Sequence, residues 1–173
     1  NSELSEIGSS FFKNKFIILS NKKRRRYKTT SDENTKIPNN NLYCVNVDST
    51  GNLSFPLLFS SAIDSKNNEG TIAFTPDENK IFFTQSTKEN PNVYKLYTAD
   101  LDIKSDKYWT NITELKLMDD QYSIETPFVS NDGKKLYFSS NIPGGAGGFD
   151  LYEVAILENG TLGAPMNLGS KIN

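Results

Sequence analysis

The chain has 173 residues, enough for one domain with a substantial core, and 36% hydrophobic, 12% aromatic and 23% charged residues, a globular composition weighted toward strand formers. A formal charge of −2 and no long basic face give no electrostatic case for nucleic acid, and no apolar run approaches the roughly eighteen residues that read as a membrane span. One cysteine and no histidine exclude an internal disulfide, a structural zinc site and any Ser-His-Asp or Cys-His nucleophile within the chain, so neither metal nor cofactor is expected.

Asn1-Ser2-Glu3-Leu4 lacks the charged and apolar segments of a signal peptide, so either such a peptide has been removed or these residues come from the middle of a longer protein. Three units follow, residues 1–66, 67–121 and 122–173. In the first, Ile7 to Phe12 and Lys15 to Ser20 read as strands, Asn21 to Asn41 as a polar excursion carrying Lys22-Lys23-Arg24-Arg25-Arg26, and Leu42 to Val47 and Leu53 to Phe59 as two further strands. The second reads as strands over Thr71 to Thr75, Lys80 to Gln85, Val93 to Leu101 and Tyr108 to Leu115, with Pro76-Asp77-Glu78-Asn79 as its first turn.

The third unit is the most explicit. Thr126 to Ser130 is a short strand, Asn131-Asp132-Gly133 a tight turn of residues that tolerate positive φ, and Leu136 to Ser140 the next strand. Pro143-Gly144-Gly145-Ala146-Gly147-Gly148 continues neither neighbour and must be a loop; Phe149 to Leu157 and Pro165 to Leu168 complete the unit.

The units are in register. Lys80-Ile81-Phe82-Phe83 matches Lys135-Leu136-Tyr137-Phe138 at an offset of 55, and Leu96-Tyr97 matches Leu151-Tyr152 at the same offset. Leu42-Tyr43 matches Leu96-Tyr97 at 54, and Lys15-Phe16-Ile17-Ile18 matches Lys80 onward at 65, the longer step reflecting the Arg-rich excursion. No segment keeps a helical period. Four short antiparallel strands repeated at roughly fifty residues predict an all-β fold, a β-propeller with three four-stranded blades, because one such sheet cannot cover both its faces alone. A flat β-sandwich is the alternative.

The run from Ser130 to Tyr152, S-N-D-G-K-K-L-Y-F-S-S-N-x-P-G-G-x-G-G-F-D-L-Y, resembles the WD40-like, TolB-type propeller repeat, and more narrowly the version in Bacteroidetes envelope proteins. Pro165 to Asn173, P-M-N-L-G-S-K-I-N, is similar to the blade-closing segment of those proteins, and Ser5 to Phe11 and Tyr122 to Pro127 resemble their blade openings. The resemblance implies a non-catalytic interaction domain, periplasmic and outer-membrane associated, set between helical TPR repeats and a peptidoglycan-binding domain like that of outer membrane protein A. Some such proteins serve type IX secretion or gliding. It also implies six blades, so the three read here are expected to be half of a ring, with open flanks that invite self-association. The partners implied are envelope proteins, with peptidoglycan reached only through a domain that these residues do not contain.

Loops between second and third strands, and connectors between units, share one face of a propeller, where binding usually resides. That face carries Arg24, Arg25 and Arg26, a candidate for an acidic partner or phosphate; Lys88 to Asn92; and Gly144, Gly145, Gly147 and Gly148, whose bare amides can cradle an anion or simply permit a tight crossing. Asp150 is read as accepting hydrogen bonds from that glycine loop. Glu6, Glu69 and Glu125 each precede a first strand and either converge as an acidic ring at the channel mouth or accept amides from neighbouring connectors. A carbohydrate-active or glycan-binding propeller using such carboxylates is the competing class, requiring two of them about 5–10 Å apart. Asp77 and Asp132 are read as turn residues, Trp109 as packing, and Cys44, by equivalence with Thr98 and Glu153, as partly exposed.

Overall fold

The computed structural model describes residues 6–22, 31 and 37–173. Among them there is no helix, and twelve strands form three four-stranded antiparallel sheets, each in sequential order. The first sheet holds β1 (Glu6–Phe12), β2 (Lys15–Ser20), β3 (Asn41–Asn46) and β4 (Leu57–Leu58). The second holds β5 (Glu69–Phe74), β6 (Lys80–Ser86), β7 (Tyr94–Leu101) and β8 (Trp109–Glu114). The third holds β9 (Ile124–Val129), β10 (Lys135–Ser140), β11 (Asp150–Ala155) and β12 (Met166–Asn167).

The offsets in the sequence are the registers of the sheets. Ile18 pairs with Tyr43, Phe83 with Tyr97 and Phe138 with Tyr152. The last two pairs stack with ring centroids 5.6 and 5.7 Å apart. Each first strand carries an irregularity against its second, between Gly8 and Ser10, Glu69 and Ile72, and opposite Tyr137 to Ser139. A bulge there bends the innermost strand and adds twist.

Strand alternation gives every sheet two apolar faces, and the sheets stack through them. One core joins Ile17, Leu19, Leu42 and Cys44 of the first sheet to Ile72, Ile81, Phe83, Ala99 and Trp109 of the second. The other joins Ala73, Phe82 and Leu96, on the second sheet's far face, to Ile124, Leu136, Phe138 and Val154 of the third. Burying one such side chain is worth roughly 1.5–3 kcal/mol against about 1 kcal/mol net for a hydrogen bond, so these two seams dominate the cohesion. Strands β1, β5 and β9 lie side by side, as radial stacking about an axis requires. The arrangement is a propeller arc of three blades, and the ring is not closed.

Two expectations are corrected. The fourth strands of the outer sheets shrink to Leu57–Leu58 and Met166–Asn167 because Pro56 and Pro165 remove a ladder donor; the second sheet has Ile112 at that register position and keeps six residues in β8. Cys44 is buried in the first seam rather than partly exposed, and that burial pushes its thiol above the ordinary value, away from nucleophilic use. Trp109, 3% exposed, packs among Phe12, Phe59 and Phe74 at centroid distances of 5.6, 6.1 and 6.2 Å.

Candidate functional site

Antiparallel order places the loops between second and third strands, and the connectors between sheets, at one end of the arc. At the opposite end the turns are self-sufficient. Thr75 and Ser130 donate their hydroxyls to Asp77 and Asp132, each at 2.6 Å, and these bonds are the leading reason both carboxyls sit below the ordinary aspartate value. Lys13 donates its amide to Glu78 at 2.9 Å, tying that end of the first two sheets together.

The connector end is knitted by a repeated pair of hydrogen bonds. The Asn40 amide donates to Asn68 Oδ1 at 3.0 Å, and the Asn68 amide to Ser86 Oγ at 3.0 Å. At the next seam the Tyr94 amide donates to Ser123 Oγ at 2.9 Å, and the Ser123 amide to Asn141 Oδ1 at 2.8 Å. These are equivalent residues at offsets of 54 and 55, so the connector of each later sheet clasps the third-strand entry of the sheet before it.

Asn41 and Asp150, which open β3 and β11, and Lys95, the second residue of β7, face Ser20, Ser140 and Gln85 in register, and all three are buried polar groups. Each suits its own loop. Asn41 donates to the Asn39 carbonyl at 2.8 Å. Lys95 donates to the Asp120 carbonyl at 2.6 Å and approaches the Asp120 carboxylate at 3.4 Å. Asp150 accepts the Ala146 and Gly147 amides at 2.8 and 3.0 Å and the Asn167 amide group at 3.0 Å. Burial pushes the Asp150 carboxyl up, but these donors together hold it below the ordinary value. Two amides of the glycine loop are thus given to Asp150.

The acidic ring is not formed: among the described residues no three carboxylates gather where they can hold a cation. Glu6 is exposed at the start of β1. Glu69 is buried at the first seam, where it accepts the Leu42 amide at 2.6 Å and the Ser65 amide at 3.2 Å. Glu125 accepts the Ser123 hydroxyl at 2.9 Å at the second seam, and its charge, after burial, raises the Tyr94 phenol. Glu69 pairs with Gln85 whereas Glu125 pairs with Ser139, one residue short of the equivalent Ser140, so the two do not hold equivalent positions. Arg24, Arg25 and Arg26 lie outside the described residues.

Among the described residues a cleft of about 650 Å³, open to solvent, lies at this end at the margin of the second sheet. Loop residues Lys88, Glu89 and Asn90 form one wall, and connector residues Lys116, Asp120 and Gln121 another. Lys95, Tyr97 and Glu114 reach it from the strands. Burial first, and then the Glu114 carboxylate, push the Tyr97 phenol above its ordinary value. Three ammonium groups and three carboxylates line the cleft, so it favours neither sign of ligand. The sequence marked the Lys88 loop and the connector but not Lys95, Tyr97 or Glu114, whose strand positions read as ordinary alternation.

No protein-family model and no curated protein sequence matches the chain. Among solved structures it is similar to a putative TolB from Agrobacterium tumefaciens, at 16% identity and a TM-score of 0.52, over 91% of this chain and 43% of that one. TolB from Acinetobacter baumannii matches at 16% identity and a TM-score of 0.45, over 87% and 29% of the two chains. A puromycin hydrolase mutant complexed with PGG matches at 13% identity and a TM-score of 0.45, over 90% and 31%. The likeness to the Agrobacterium tumefaciens structure gives the chain a TolB-like propeller fold, and the chain spans less than half the length of each of these structures.

Proposed function

We propose that the chain is a non-catalytic protein-interaction domain whose connector end receives an extended segment of a protein partner. The observation that carries this reading is the cleft between the Lys88 loop and the Lys116 to Gln121 connector. It offers donors, acceptors and both charges beside the Val93 and Tyr97 side chains, a mixture that suits a peptide better than a polyanion or a simple sugar. Loops on a rigid sheet scaffold can hold such a surface in place without a catalytic centre.

The setting we propose is the bacterial envelope, on the periplasmic side and associated with the outer membrane. The domain would serve as a scaffold in proteins of the outer membrane protein A type, including those of type IX secretion. The resemblance of Ser130 to Tyr152 to the repeat of those proteins supports this setting.

Selection from a displayed peptide library tests the site. Peptides recovered on the native chain are expected to lose at least tenfold in affinity for the double variant Lys88→Glu, Lys116→Glu, and to keep it for Lys134→Glu at the opposite end. Equal binding to all three proteins refutes the assignment.

A further inference from the structure

The connectors that join the sheets are anchored at one repeated position, and the two anchors differ in chemistry. Ile63 in the first connector and Met118 in the second stand at an offset of 55, as do Gln85 in β6 and Ser140 in β10. In the first connector the Gln85 side chain donates to the Ile63 carbonyl at 2.6 Å, and Ile63 is buried in the first core. In the second the shorter Ser140 donates its hydroxyl to Met118 Sδ at 3.2 Å. Ser140 is 0% exposed, and this sulfur is its hydroxyl's one hydrogen-bond partner among the described residues. Met118 is partly buried, packed against the second core with Leu115, Leu117 and Ile142. A peroxide leaves a backbone carbonyl untouched but oxidises a thioether.

The second connector is also a wall of the cleft, which Lys116 and Asp120 line from two residues to either side of Met118. The Lys95 ammonium holds this wall at the Asp120 carbonyl, and Met118 holds it against the second core. We infer that Met118 is a modification site, oxidised to the sulfoxide by a hydroperoxide, and that its oxidation shifts the connector and weakens the cleft's hold on an extended peptide. That regulation rests on the cleft being the peptide site.

In the oxidation a sulfur lone pair attacks a peroxide oxygen, and an S–O bond forms as the O–O bond breaks. The departing hydroxide takes the proton of the transferred hydroxyl and leaves as water, so the sulfur is oxidised and the peroxide reduced. The product does not fit where the thioether sat. An oxygen pointing at Ser140 places an S–O bond of about 1.5 Å before an O–H···O contact of about 2.7 Å, which drives the sulfur back by up to about 1 Å from its present 3.2 Å. Pointing the other way, the oxygen is a polar group pressed into the second core without a donor. The side chain retreats in both cases, and its connector with it. A methionine sulfoxide reductase reverses the change, two thiols giving a disulfide while the oxygen leaves as water.

Hydrogen exchange of the chain before and after treatment with hydrogen peroxide tests this, with mass spectrometry to confirm oxygen on Met118. The Tyr122 amide, which donates to the Asp119 carbonyl at 3.1 Å, and the Ser123 amide, which donates to Asn141 Oδ1 at 2.8 Å, are expected to exchange severalfold faster after oxidation. The Asn68 amide, the equivalent of Ser123 in the first connector, is expected to be unchanged. Peptides selected on the native chain are expected to lose severalfold in affinity and to regain it after reductase treatment. Met118→Leu is close in volume and keeps Cys44 and the exposed Met166, the chain's other sulfur atoms. Compared with its own untreated state, it is expected to show no response, whereas Met166→Leu responds as the native chain does. A response in Met118→Leu, none in Met166→Leu, or unchanged exchange once Met118 carries oxygen overturns the proposal, as does resistance of Met118 to peroxide. Faster exchange with unchanged peptide affinity overturns the regulation and leaves the peptide site standing. Failure of the untreated chain to bind any peptide refutes the peptide site itself, and the exchange result still decides whether Met118 governs the connector.

Discussion

The Glu69 carboxylate receives the Leu42 amide hydrogen at 2.6 Å, so a single buried acid on the second sheet caps the third strand of the first. Its other oxygen holds the Ser65 amide of the connector at 3.2 Å. Removing it leaves two amides at the seam without this acceptor. Glu69→Ala is expected to cost about 1–3 kcal/mol in urea unfolding, and Glu69→Gln, which keeps one acceptor oxygen, clearly less.

Trp109 is the lone tryptophan and reports the first seam directly. Phe12 stacks on Phe74 at 4.9 Å and lies 5.6 Å from Trp109. Phe12→Ala opens a void among these rings. It is expected to cost about 2–3 kcal/mol, below the range for a fully buried phenylalanine because Phe12 is only partly buried. Unfolding followed by tryptophan fluorescence checks it, with the folded-state emission shifting red.

Within the glycine loop the four glycines are not equivalent. A Cβ on Gly145 would fall 1.4 Å from Asp150 Oδ2, whereas one on Gly148 meets nothing within 4 Å. Gly145→Ala is expected to displace the loop and speed hydrogen exchange at the Ala146 and Gly147 amides severalfold. Gly148→Ala should leave exchange unchanged and stability within about 0.5 kcal/mol.

Acid should weaken the turns first. The Thr50 hydroxyl, followed by the Asn52 and Thr50 amides, lowers Asp48 from 3.8 to about 2. Asp77 and Asp132 are lowered in the same sense. A carboxylate whose folded value is depressed contributes stability that is complete above its unfolded value and lost as pH falls through the folded one. Melting temperature is therefore expected to hold down to about pH 4 and fall between 3.8 and about 2. Asp48→Asn, Asp77→Asn and Asp132→Asn should each flatten that fall.

The strands and their registers were legible because two anchors, Phe83 with Tyr97 and Phe138 with Tyr152, repeat at one offset and face each other across a ladder. The glutamates were not, because the bulges in β5 and β9 break the count: one residue of slip sets Glu69 opposite Gln85 and Glu125 opposite Ser139, so the two are not equivalent. Cys44 misled for a related reason. Its equivalents Thr98 and Glu153 are polar, yet the first sheet uses that position for the seam, where Cys44 joins Leu42 and Phe83. The cleft was half legible, since loops announce themselves by composition while a strand residue such as Tyr97 reveals its surroundings only when the neighbouring sheet is in place.

The most direct measurement of where this domain recognises its partner is an amide chemical-shift map with a library-selected peptide bound. The expected result is shifts concentrated at Ser86 to Asn90 and Lys116 to Gln121, around the cleft. Shifts concentrated instead in the turns at Thr75 to Lys80 and Ser130 to Lys135 would place recognition at the opposite end and contradict the account.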